Sequence, residues 1–140
     1  MAAQPALGID ELALGTGERA RAVRQIRRSP PEMADVNLEG QTRSLADLVK
    51  YQTEAVVSRS LLSKATGSVT LFAFDEDQSL SEHTTPYDAL ALALEGELEI
   101  TMAGECSRLA PGEVLLMPAN RPHAVRAIAR SKMLLVMVRG

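Results

Sequence analysis

Two stretches decide the fold of this 140-residue chain. One is Glu82-His83-Thr84-Thr85-Pro86-Tyr87-Asp88, running through Ala89-Leu90-Ala91-Leu92-Ala93-Leu94 to Gly96; the other is Gly112-Glu113-Val114-Leu115-Leu116-Met117-Pro118, leading to His123. Alanine and leucine alternate from Ala89 to Leu94, the period of a β-strand whose two faces meet different surroundings. If His83 points inward and no bulge intervenes at Pro86, then Thr85, Tyr87, Ala89, Ala91 and Ala93 share its side, while Leu90, Leu92 and Leu94 face out. Small residues inside predict a roomy interior, and large ones outside predict a cover, either a second layer or a second subunit. A homodimer is therefore expected. The competing packing sets the alanines against Met102, Met117, Met133 or Met137, whose flexible side chains would fill the same room.

The same period continues on either side. Short β-rich runs are predicted over Val56–Leu62, Val69–Phe74, Asp88–Leu94, Glu97–Met102, Val114–Met117, His123–Ile128 and Met133–Val138, the spacing of an all-β sandwich or barrel. Between them Glu95-Gly96, Ala103-Gly104-Glu105, Pro111-Gly112 and Asn120-Arg121-Pro122 supply turn residues, and Cys106 is assigned to the turn after Gly104. Ser44 as N-cap, with Leu45, Leu48 and Val49 at helical spacing, predicts a short helix lying on the barrel as a lid or strut. Residues 1–35 read as a flexible basic arm with one short helix from Glu18 to Arg28, ended by Pro30-Pro31. Residues 36–140 form a single domain.

Counted residue by residue, the two stretches resemble the paired motifs of the cupins, G-x5-H-x-H-x3-E-x6-G and G-x5-P-x-G-x2-H-x3-N. His83, Gly96, Gly112, Pro118 and His123 match; Asp77 and Asn120 stand at glycine positions, Thr85 at the second histidine, Ala89 at the glutamate and Ala127 at the asparagine. The resemblance runs from about Val56 to Arg139 and is similar to a subgroup of small bacterial cupins with degenerate ligands. It implies an RmlC-like double-stranded β-helix, a jelly-roll barrel. It does not imply one activity, since that barrel hosts dioxygenases, isomerases, sugar epimerases and seed storage proteins.

A complete cupin centre would hold a divalent metal, iron, manganese, nickel or zinc, on three or four nitrogen and oxygen donors that include a carboxylate. Here His83 and His123 are the placed ligands. Asp88 would join them only through a local shift of register, because it otherwise points to the opposite face. The leading reading is a pocket for a small, mostly apolar organic ligand with His83, Thr85, Tyr87, His123 and Met117 as its contacts. The rivals are a metal-dependent dioxygenase or isomerase using His83 and His123, and a structural or regulatory dimer. In the metal-free reading both histidines are neutral, one of them hydrogen-bonded to Thr85 or Tyr87, and either could act as a general base.

Composition narrows the field. The chain is 46 % hydrophobic, enough for one core, and its single cysteine, Cys106, allows no disulfide within the chain. Glu105 beside it disfavours the thiolate, so Cys106 is read as inert. Residues 1–28 carry five arginines against three acids, while the remainder is acidic. Aromatics are only 3 %, too few to stack single-stranded nucleic acid, and a nucleic-acid partner is not expected. Neither a leader pattern in Met1–Gly15 nor a membrane-length apolar run occurs, so a soluble cytoplasmic protein without a membrane partner is expected. Glu97 and Glu99 alternate with Leu98 and Ile100 as a solvated strand face.

Overall fold

The computed structural model describes residues 26–28, as backbone, and 38–139. Strand β1 (Ile26–Arg28) precedes one 3-10 turn at Leu45–Leu48, and β2 (Val56–Lys64), β3 (Gly67–Phe74), β4 (Ser79–His83), β5 (Asp88–Glu95), β6 (Leu98–Met102), β7 (Glu105–Leu109), β8 (Val114–Met117), β9 (His123–Ala127) and β10 (Ser131–Val138) follow it. They make two sheets, one in the order β1-β2-β3-β10-β5-β8 and one in the order β4-β9-β6-β7. The pairings are antiparallel except β1 with β2. This is the all-β barrel expected from the periodicity.

Alternation along β5 is as predicted: Ala89, Ala91 and Ala93 are buried, and Leu90 is exposed. The alanines lie in register with Met137, Leu135 and Met133 of β10 on one side. On the other side Ala89 and Ala91 face Met117 and Leu115 of β8. Phe72, Phe74 and Val56 complete the inner face of the larger sheet, and Leu80, Leu98, Ile100, Leu109, Val125 and Ala127 come from the smaller one. Methionines therefore fill much of the room the alanines leave, since Met117, Met133 and Met137 are all buried in this core.

Among the described residues, the outer face of the larger sheet is covered at one end only. There Val57, Leu71 and Ala73 pack beneath Leu48 and Val49, with Leu38, Leu45, Tyr51, Leu94 and Leu134 around them. Residues 38–51 thus form a strap, the strut expected from Leu45–Val49. It is a 3-10 turn and not an α-helix, and Ser44 makes no side-chain cap. Two buried cations hold it: Arg59 Nη1 donates to Leu48 O at 3.0 Å and Lys132 Nζ to Ala46 O at 2.6 Å. Each satisfies a carbonyl that a non-repetitive segment cannot pair within itself.

Three expectations need correction. Ile26–Arg28 is a strand in register with Val56–Ser58, not the end of a helix; the rest of the expected arm lies outside the described residues. Ser79–His83 and Glu105–Leu109 are strands that the sequence did not advertise, the first because it is polar and the second because it is an edge strand exposed along most of its length. Cys106 accordingly sits on β7 opposite Thr101, and not in a turn. Leu94 faces out as expected, and of the two covers expected for it the chain's own strap, a second layer, supplies one.

Left-handed backbone recurs at four positions of the paired motif, Asp77 at φ 67°, Gly96 at 77°, Gly112 at 88° and Asn120 at 68°. Aspartate and asparagine are the non-glycine residues that best tolerate this region, so both replacements keep the turns. At Gly96 a Cβ would also run into the Arg130 carbonyl and Ser131. Gly96→Ala is expected to cost about 2 kcal/mol or more, read as a lower urea midpoint at unchanged slope; a midpoint equal to wild type would show that the turn relaxes freely.

Candidate functional site

The geometry of the site begins with an irregularity in β4. Leu80 lies opposite Val125 and His83 opposite His123, so three steps on β4 match two on β9. Leu80 and His83 are an odd number of residues apart and would face opposite ways on a regular strand. The extra residue turns His83 inward, and both side chains are buried. On β9, His123, Val125 and Ala127 alternate inward without interruption.

The two imidazoles meet edge to face, with ring centres 4.5 Å apart and planes at 69°. His83 Nδ1 is 2.7 Å from Ser81 O, and His123 Nδ1 is 3.1 Å from Arg121 O. A carbonyl can only accept, so each Nδ1 carries the proton and, in the neutral ring, each Nε2 keeps a bare lone pair. Burial pushes His83 down to about 4, with the neighbouring His123 adding to the shift against the opposing Ser81 hydrogen bond. His123 is also lowered, again by burial first. Both rings are thus neutral at physiological pH, and His83 Nε2 is buried without a hydrogen-bond partner.

The remaining predicted residues divide. Thr85 is buried, but its Oγ1 accepts the Tyr87 N–H at 3.1 Å, and its carbonyl accepts the Asn120 N–H at 2.8 Å. The histidine hydrogen bonds therefore go to backbone carbonyls and not to Thr85 or Tyr87. Tyr87 is partly buried against the core, and the Arg139 guanidinium stands 5.9 Å from its ring centre. Met117 is buried in the core. Asp88 is exposed on the opposite face to Ala89, with Oδ1 accepting the Ala119 N–H at 2.8 Å.

Among the described residues no three His, Cys, Asp or Glu side chains converge on one point. Asp88 thus does not join the histidine pair, and the position of the usual carboxylate is Ala89, whose methyl offers no donor. Two imidazoles alone do not fit a charge-balanced divalent centre of three or four nitrogen and oxygen ligands. Met102, expected only as a side chain filling the room beside the alanines, lies in register with His123 on β6. The β6–β9 pairing was the needed signal.

The shift of His83 carries a sign. The unfolded imidazole takes up its proton near pH 6.5 and the folded one not until about 4, so stability is complete above 6.5 and declines as pH falls toward 4. The loss is on the order of 3 kcal/mol. Urea unfolding of wild type and His83→Gln across this window is expected to show a shallower decline in the variant; identical profiles would assign the decline to other groups.

Comparison with known proteins adds the lineage. A family model described as a cupin domain matches residues 70–139, half of the chain. A conserved protein of unknown function from Streptococcus pyogenes is similar at 34 % identity, covering 71 % of this chain and 88 % of that one with a TM-score of 0.69. A cupin superfamily protein from Desulfitobacterium hafniense is similar at 32 % identity, covering 71 % and 92 % with a TM-score of 0.69. A cupin 2 conserved barrel domain protein from Leptotrichia buccalis is 38 % identical over 68 % of this chain and 46 % of its own, with a TM-score of 0.66. No functionally curated protein matches the chain. With the barrel, the two left-handed turn pairs and the inward histidines in place, the family model and these relatives agree, and the chain belongs to the cupin family.

Proposed function

We propose that the protein binds a small, mostly apolar organic molecule inside the barrel, with His83 and His123 receiving a hydrogen-bond donor at one end of it. The observation that carries this reading is the buried, unpartnered Nε2 of His83. An acceptor left unpaired in a core costs about 1–3 kcal/mol, which a ligand hydroxyl or N–H would recover. The core cluster around the pair is apolar, with Tyr87 and Met102 only partly buried where they pack on it, and Thr70, buried on the row of Leu135 and Ala91, adds a second unpartnered polar atom in its Oγ1. Two neutral acceptors favour a neutral donor such as an alcohol, a phenol or an amide over an anion, whose own lone pairs would face theirs.

Native mass spectrometry of protein purified without denaturation, followed by a thermal-shift panel of neutral hydroxylated and amide compounds, tests the reading. A bound organic mass or a stabilising compound is expected, with its effect reduced at least about tenfold in affinity by His83→Ala. Absence of any bound species and of any shift would end it.

A second reading concerns the outer face and rests on a separate observation. Leu62, Val69, Val136, Leu90 and Leu116 lie opposite one another across β2, β3, β10, β5 and β8. Leu62, Leu90 and Leu116 are exposed, as are Val114 and Val138 on neighbouring rows. A contiguous apolar face of this kind favours an isologous dimer that buries it against its copy. Light scattering at micromolar concentration is expected to give twice the chain mass for wild type and the monomer mass for the double variant Leu90→Glu, Leu116→Glu. A monomeric wild type would refute the dimer.

A further inference from the structure

Thr70 is 1 % exposed, and its Oγ1 is buried without a hydrogen-bond partner among the described residues. It alternates on β3 with Phe72 and Phe74 of the inner core, and it lies opposite Leu135 of β10, which in turn faces Ala91 of β5. The hydroxyl therefore points into the barrel beside aliphatic side chains that offer it nothing. Valine has nearly the same shape and would fill this place without burying a polar group, so the hydroxyl is unfavourable there unless something outside the chain meets it.

The wall around Thr70 is the polar part of the inner face. Ser60 of β2 stands opposite Thr70, and Ser58 and Ser68 lie on the neighbouring inward rows, opposite Phe72 and Met137. Ser58 is buried, Ser68 is half-buried and Ser60 is exposed. An exposed side chain on the inward face marks an edge at which the barrel is open among the described residues. Hydroxyls thus lead from that edge to Thr70.

We infer that Thr70 is a specificity-determining residue of the barrel pocket and that the ligand is a small, neutral, bifunctional molecule, with one hydroxyl or N–H for the histidines and a second hydroxyl or amide for Thr70. The inference rests on the organic-ligand reading and deepens it. His83 Nε2 can only accept, whereas a threonine hydroxyl both donates and accepts, so the first group must be a donor and the second need only be polar. His83 belongs to the smaller sheet and Thr70 to the larger. A molecule that satisfies both lies across the space between them, and sheets packed face to face are about 10 Å apart. One small ring or a short chain between the two polar groups suits that span.

The test compares phenol, which has one hydroxyl, with resorcinol, hydroquinone and para-hydroxybenzyl alcohol, which have two, by ligand-detected magnetic resonance on the full-length protein. At least one of the diols is expected to bind wild type about fivefold more tightly than phenol, as one added neutral hydrogen bond allows. Thr70→Val should erase that gain and leave phenol unchanged, while Thr70→Ser, which keeps the hydroxyl, should retain it. Without ligand, Thr70→Val is expected to unfold at the same urea concentration as wild type or a higher one. A lower midpoint would show that the hydroxyl is already satisfied within the chain, and a gain that persists in Thr70→Val would show that the second group meets something else; either result overturns the assignment. Phenol binding without any gain from a second hydroxyl would overturn it too and leave the pocket reading standing, whereas no binding by any of these compounds would remove both.

Discussion

The larger sheet is apolar on both faces, and the rest of the molecule answers to that constraint. Its inner face is closed by the four-stranded sheet, which brings Leu80, Leu98, Ile100, Leu109 and Val125 onto the alanine stripe of β5 and its flanking methionines. Its outer face is closed at one end by residues 38–51 and, among the described residues, left open at the other. The half that the strap covers needs its carbonyls satisfied, because a 3-10 turn pairs few of its own. Arg59 and Lys132 reach them from beneath, so two long cations do structural work that a helix would have done internally. Tyr51 closes the same end, donating to Glu95 at 2.7 Å with Arg130 and Lys132 near its ring.

The site depends on a smaller departure from regularity. An uninterrupted β4 that buried Leu80 would send His83 to the surface, away from His123. One extra residue on that strand keeps both inside and sets the two rings face to edge. Burial then removes their charge, and the flanking carbonyls decide which nitrogen of each ring is left bare. The site is consequently a pair of acceptors in an apolar barrel. That differs in kind from a charge-balanced divalent centre, for which Thr85 and Ala89 no longer provide ligands.

Much of this was legible beforehand. The alanine–leucine alternation of β5 and the turn residues around Gly96 and Gly112 could both be read because each depends on local period or local backbone chemistry. Asp77 and Asn120 look like losses from the glycine pattern, yet both keep the left-handed backbone, since short polar side chains are the best substitutes there. Ser79–His83 and Glu105–Leu109 escaped because they carry no apolar alternation; their strand character comes from pairing with β9 and β6. Which of the two expected covers lies over Leu94 could not be read for a related reason, as it is supplied by a segment more than forty residues away in sequence.

By itself, the sequence determined the barrel, the turns that shape it and the absence of a full cupin ligand set, because these follow from side-chain period, backbone preference and donor chemistry at single positions. Only the tertiary structure decided which polar atoms meet. The bulge that turns His83 inward, the carbonyls that hold both Nδ1 protons, the departure of Asp88 to Ala119 and the arrival of Met102 beside His123 are properties of strand register. Register is set by the packing of whole sheets, and one residue of slip would exchange the inner face for the outer.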